Sequence, residues 1–124
     1  MAKQEVYWFK HDGNARRDIK IIEMMSVYGA EGYGWYWILL EIMRESKDYK
    51  LKIQGKYAYK ALAIELKTDQ EQAKQYIEDC INEFNLFESD GQFIWSPSFL
   101  RRMTAYNEVC EKRREAVNSR WNKV

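Results

Sequence analysis

Apolar positions along the chain follow first one period and then another, and the changes mark out the elements. Residues 5–11 crowd Val6, Tyr7, Trp8 and Phe9 into one short run, which reads as a strand or an extended arm. Asp12-Gly13-Asn14 is loop material. Over residues 19–28, Ile21, Ile22, Met25 and Tyr28 fall on one helical face, with Asp18 placed to cap that helix and Gly29 placed to end it. A second helix is predicted over residues 31–46. It is apolar nearly all round (Tyr33, Trp35, Tyr36, Trp37, Ile38, Leu39, Leu40, Ile42, Met43), as a buried central helix should be. Gly32 and Gly34 in its first turns lower helix propensity, and close packing against another element would account for them.

Residues 49–53 then alternate as a half-exposed strand. Residues 56–66 form a short helix with Ala58, Ala61, Leu62 and Ile64 or Leu66 inward. Thr68 and Glu71 fit a capping box for a helix over 68–84, whose apolar stripe is Ala73, Ile77, Cys80, Ile81 and Phe84. Two apolar runs, 86–88 and 93–95, flank Ser89-Asp90-Gly91-Gln92, the strongest hairpin signal in the chain. Ser96-Pro97 opens a last helix that extends to Trp121. Helix, strand, helix, turn, helix, hairpin is the order of a winged helix. The expected fold is therefore α+β, mainly α: a helix-turn-helix plus a hairpin wing that pairs with the first strand. An N-terminal strand and helix precede it and a long helix follows. Residues 1–103 make the winged-helix domain and residues 104–124 a basic C-terminal helical extension.

Composition narrows the class. At 124 residues with 46% apolar and 15% aromatic side chains, the chain can build one core and is no disordered tail. No apolar run reaches the roughly 18–20 residues of a membrane span, and the first residues lack the apolar centre of a secretory signal. Cys80 and Cys110 stand far apart, so reduced thiols and the cytoplasm of a bacterial host cell are expected, with no membrane association.

The net charge of +1 is uninformative, but its distribution is not. Residues 1–20 carry five basic against three acidic side chains, 67–90 two against seven, and 98–124 seven against three. Both ends are basic and the middle is acidic.

A longer pattern carries a resemblance. Tyr7-Trp8-Phe9-Lys10-His11-Asp12 is followed by Asn14-Ala15-Arg16-Arg17-Asp18 and Lys20. Glu31-Gly32-Tyr33-Gly34 then leads into Tyr36-Trp37 and Leu40-Glu41. Over roughly residues 5–103 this resembles the N-terminal domain of prophage proteins typified by listerial examples. That domain is similar to the N-terminal winged-helix domains of phage replisome organisers and DnaD-type primosome proteins. Ala116 to Trp121 is similar to the basic stretch that often follows. The resemblance implies a winged helix and a setting in phage or prophage DNA replication, with origin DNA or a helicase-loading complex as the target. It also implies a separate C-terminal region, absent here, so the chain is expected to be either a piece of a longer protein or a stand-alone module.

The second helix of a helix-turn-helix ordinarily enters the major groove. Gln70, Gln72 and Gln75 in the 68–84 helix could read adenine, yet Asp69, Glu71, Glu78 and Asp79 on the same helix repel phosphates, and Glu88 and Asp90 make the wing tip acidic. The basic ends are the better DNA-binding candidates: Lys10, Arg16, Arg17 and Lys20, then Arg101, Arg102, Lys112, Arg113, Arg114 and Arg120. Phe99, Met103, Tyr106, Cys110, Val117 and Trp121 form a near-heptad seam on a helix longer than the domain can cover. Trp8, Phe9, Val117 and Trp121 are accordingly the candidate partner contacts, including a homo-oligomer formed through the N-terminal arm or the C-terminal helix.

Tyr33, Trp35, Tyr36 and Trp37 belong to the core rather than to a base-stacking platform, since they lie in the most apolar helix. One histidine, His11, beside Asp12 makes neither a catalytic triad nor a metal site, and no glycine-rich phosphate loop is present. No enzyme, cofactor or metal is expected. Two functional classes follow: a DNA-binding, replication-organising module, or a protein-interaction module that offers its acidic helix and wing to replication proteins or a host factor.

Overall fold

The computed structural model describes residues 18–121. The expected arm at residues 5–11 and the residues Trp8, Phe9, Lys10, Arg16 and Arg17 lie outside the described residues.

As the sequence divides it, residues 19–45 hold two helical stretches, labelled together α1 (Ile19–Glu45) and separated at Gly29, whose φ of 68° and ψ of −162° are not helical. Only glycine reaches that conformation without strain, so the break sits where the sequence placed it. Asp18 caps α1 by accepting from the Lys20 N–H at 2.8 Å. Before the bend the inward face differs from expectation. Met24 is fully buried, whereas Ile22 is 49% exposed. Ile-Ile-x-Met-Met offers two apolar faces, and the bend decides which one meets the core. After the bend, Trp35, Tyr36, Leu39, Leu40 and Met43 are buried, which makes this arm of α1 the central helix.

The predicted strand at 49–53 is present but shorter: Leu51 and Lys52 pair with Ile94 and Phe93, the Ile53 N–H donates to Gln92 O at 2.8 Å, and Tyr49 falls in a turn. Residues Lys47–Tyr49 form a 3-10 turn, and both Asp48 and Tyr49 take positive φ, which a strand cannot accommodate. β1 is left with Leu51–Lys52. α2 (Ala58–Leu66) starts later than predicted and turns Leu62, Ala63 and Leu66 inward, while Ala61 and Ile64 face solvent. Lys67 is left-handed, its N–H donates to Ile64 O at 3.2 Å, and the Thr68 N–H donates to Ala63 O at 3.0 Å. This is the Schellman arrangement, with lysine where glycine is usual.

Because Thr68 closes α2, it does not cap the next helix. The cap of α3 (Gln70–Asn82) is Asp69, which accepts from the Gln72 N–H at 2.7 Å. The helix ends before the predicted residue 84, and Leu86 N–H donates back to Cys80 O at 2.8 Å. Ala73, Ile77 and Cys80 are buried as expected. So is Tyr76, absent from the predicted stripe.

β2 (Glu88–Ser89) and β3 (Phe93–Trp95) form the hairpin, closed by Gly91 at φ 92° and by Asp90 Oδ1, which accepts from the N–H groups of Gln92 and Phe93. The sheet order is β1-β3-β2, all antiparallel, with Leu51 opposite Ile94 and Glu88 opposite Trp95. The hairpin therefore does pair with the first strand. α4 (Pro97–Trp121) starts from buried Ser96, whose Oγ accepts from the Phe99 N–H at 3.2 Å. Phe99 and Met103 are its buried residues, and every position from 111 to 121 is exposed.

Rings join α1 to α3 and to the segment that enters β2. Tyr76 meets Tyr28 edge-on at 4.9 Å and Trp35 at 5.1 Å, and Tyr36 stacks on Phe87 at 5.7 Å. Among the described residues no helix is long and apolar enough to cross a membrane.

Candidate functional site

α1 and α4 both begin at one cleft of about 680 Å³. Asp18, Lys20 and Ile21 line it from the first turn of α1; Pro97, Ser98, Arg101 and Arg102 line it from the first turns of α4. Trp37, Ile81 and residues 85–89 complete the wall. Two helix N-termini thus open at the same place, each with the positive end of its dipole, and each already capped in part, by Asp18 at the Lys20 N–H and by Ser96 at the Phe99 N–H. Lys20, Arg101 and Arg102 add full positive charges, set against Asp18 and Glu88. The Asp18 carboxylate is already engaged as the α1 cap. At the back of the cleft, burial pushes the Tyr36 phenol above its ordinary value, while Ser96, the Arg102 guanidinium and Ser98 act in the opposite direction. The arrangement is an open, mostly polar slot suited to anionic groups.

The candidate DNA contacts are thus divided. Lys20 from one end of the chain and Arg101 and Arg102 from the other come together at this cleft, a proximity that no local sequence spacing reveals. Lys112, Arg113 and Arg120 stand on the exposed part of α4, away from the cleft. Arg114 lines a separate groove of about 720 Å³ with Arg44, Asp48, Tyr49 and Cys110. Val117 and Trp121, the described partner candidates, are both exposed, Trp121 at 82%.

α3 presents Gln70, Glu71, Gln72, Lys74 and Gln75 to solvent. Two of its three glutamines are engaged within the helix and its cap. Gln72 Oε1 accepts from the Thr68 hydroxyl, and Gln75 Nε2 donates to Asp79 Oδ1 at 2.9 Å. The other oxygen of Asp79 accepts from the Tyr28 hydroxyl, which ties that carboxylate to α1. Asp90 at the hairpin tip accepts from the Phe93 and Gln92 N–H groups, which hold its carboxyl below the ordinary value.

Trp35 and Tyr36 are buried and Tyr33 and Trp37 half-buried, so the aromatic cluster of α1 packs the core. Cys80 is buried and its thiol is pushed up to about 12 by that burial, leaving it protonated and unreactive at neutral pH. Among the described residues no group of His, Cys, Asp and Glu side chains is arranged to hold a metal ion.

Fold and cleft define a mainly helical α+β domain with a small three-stranded antiparallel sheet and an anion-suited slot between two helix starts. The chain belongs to the family described as Lin1244/Lin1753-like, N-terminal, which it matches over residues 8–99. That match includes Lys20 and the α1 wall of the cleft and ends just before Arg101. No curated protein and no solved structure matches the chain.

Proposed function

We propose that this chain is a winged-helix domain of phage or prophage DNA replication that grips the phosphates of duplex DNA in the cleft between the starts of α1 and α4. The winged-helix reading is supported by the succession of α1, β1, α2, α3 and hairpin, and by the β1-β3-β2 pairing. The replication setting is supported by the resemblance to replisome organisers and DnaD-type domains. One observation carries the DNA reading: Lys20, Arg101 and Arg102 converge with two helix N-termini on one surface. Binding, not catalysis, is the activity, and it acts through charge and shape.

This differs from the usual mode. An inserted α3 would bring Asp69, Glu71 and Glu78 toward the backbone phosphates, and its glutamines are partly occupied by neighbours. Those carboxylates, with Glu88 and Asp90 on the hairpin, support a second reading in which α3 and the wing dock a basic surface on a replication protein or host factor. Titrating labelled duplex DNA at a series of salt concentrations separates the two. Steeply salt-dependent binding supports the first, and absence of binding at low salt supports the second.

A further inference from the structure

The stretch from Lys47 to Lys67 carries six lysines against two carboxylates, Asp48 and Glu65, and interleaves them with Tyr49, Tyr57 and Tyr59. Both end regions of the chain are basic, but this run lies between them. The fold places its second half on the outward side of α2. Lys60 and Ile64, four apart, share one helical face of α2, with Tyr57 just before the helix and the left-handed Lys67 just after it. All four are exposed, Tyr57 at 63% and Ile64 at 72%. Lys56 adjoins them at the start of the helix. Glu65 falls on a different side, lining a groove with Lys52 and Glu45.

None of these face lysines forms an ion pair among the described residues. Their ammonium groups gather at rings instead. Lys56 Nζ lies 5.5 Å and Lys60 Nζ 6.0 Å from the centroid of Tyr57, and on the inner flank Lys74 Nζ from α3 lies 5.9 Å from that of Tyr59. Lys56 and Lys60 lie over the exposed Tyr57 ring on long, flexible stems, so a base can displace them from the ring and stack there while its phosphate keeps the displaced cation. Duplex DNA could use the cations but not the ring, because its bases are already stacked.

We infer that the outward face of α2, formed by Lys56, Tyr57, Lys60, Ile64 and Lys67, binds a single-stranded nucleic acid. The inference does not rest on the cleft reading, since no residue of α2 lines the cleft. A protein partner is disfavoured because it would have to supply carboxylates to at least three lysines and still cover a polar ring. A nucleotide strand supplies both partners in its own repeat.

The test is fluorescence anisotropy with a labelled single strand of about twenty thymidines, and a duplex of equal length, across a salt series. The whole chain should bind the single strand. Tyr57→Ala should weaken that binding about tenfold and Tyr57→Trp should restore it. Combining Lys56→Glu, Lys60→Glu and Lys67→Glu should weaken it further and reduce the salt slope by about two. Because every altered side chain is exposed, the variants should melt with the parent, and circular dichroism checks this. Lys20→Glu with Arg101→Glu and Arg102→Glu should leave single-strand binding within about twofold, so the two sites fail separately. The inference is overturned if the parent does not bind the strand at low salt. It is equally overturned if Tyr57→Ala and the lysine reversals change nothing, if the strand is lost only in the cleft variant, or if the duplex binds as well and ignores Tyr57.

Discussion

The hydroxyl of Tyr76, in the middle of α3, donates a 2.7 Å hydrogen bond to the carbonyl oxygen of Gly32 in α1. Both groups are buried, and Tyr28 and Met24 leave no room for a side chain at residue 32. A Cβ there would press on the Cβ of Tyr28, lie 2.9 Å from Met24 Sδ and 3.4 Å from the Tyr76 ring. Gly32→Ala should therefore destabilise the domain by about 1–3 kcal/mol through overpacking. Tyr76→Phe should lose about 1–2 kcal/mol, since it leaves a buried carbonyl without its donor. Gly34 meets nothing within 4 Å, so Gly34→Ala should stabilise by about 0.5–1 kcal/mol. Urea midpoints of the three variants check the set; similar behaviour of the two glycine variants would contradict it.

Alkaline pH should weaken the fold. Burial raises the Cys80 thiol to about 12 and holds the Tyr76 and Tyr28 phenols above their ordinary value, with the Asp79 hydrogen bond adding to the effect at Tyr28. These groups stay protonated in the folded chain while the unfolded chain releases its protons from about pH 9 upward. The unfolded state then binds fewer protons, so stability falls as pH rises. Cys80 alone should account for a loss of about 2 kcal/mol near pH 10.5. Cys80→Ala should flatten the decline between about pH 8 and 10.5, and a parent protein whose urea midpoint is unchanged over that range would contradict the account.

Capping residues give a sharper check on local structure. Ser96→Ala and Asp69→Ala should each remove about 1 kcal/mol, because each deletes the acceptor for an N–H in the first turn of a helix. Thr68→Ala should change less, since its hydroxyl bonds Gln72 Oε1 rather than a backbone N–H. If Thr68→Ala matched Asp69→Ala in thermal melting, the cap would have been placed one residue too late.

Positions 111–121 of α4 are exposed, with Val117 and Trp121 among them. Eleven residues are too few for a stable isolated helix. A chain ended after Cys110 should keep the parent melting temperature within about 2 °C, a shift smaller than 1 kcal/mol produces in a domain of this size. A larger fall would show that the extension packs on something, and light scattering would show whether that is a second copy.

The elements were legible wherever a residue type has one conformational use. Gly29 marked the bend in α1, Asp90-Gly91 the hairpin turn, and Ser96-Pro97 the start of α4. Errors arose where one residue could serve two ends. Thr68 looks like a cap, but Lys67 takes a left-handed conformation and draws Thr68 into closing α2, which moves the cap of α3 to Asp69. Tyr76 keeps the helical spacing of its stripe, three after Ala73 and four before Cys80, so its burial was legible; its acceptor, a backbone carbonyl 44 residues away, was not. Of the candidate site, the basic character of both ends was legible in the charge distribution. That Lys20 joins Arg101 and Arg102 was not, since it depends on two helices starting side by side. The lysines of residues 47–67 are spread singly over short elements and the loops between them, so they form no adjacent basic pair such as Arg16-Arg17 or Arg101-Arg102 at the two ends.

The cleft remains the centre of the functional account, and one titration tests it most directly. Duplex DNA should bind the parent chain with an affinity that falls steeply as salt rises. The combined variant Lys20→Glu, Arg101→Glu, Arg102→Glu should reduce affinity at low salt at least tenfold and the salt slope by about three. Duplex binding that is unchanged in affinity and slope by these three reversals would contradict the account.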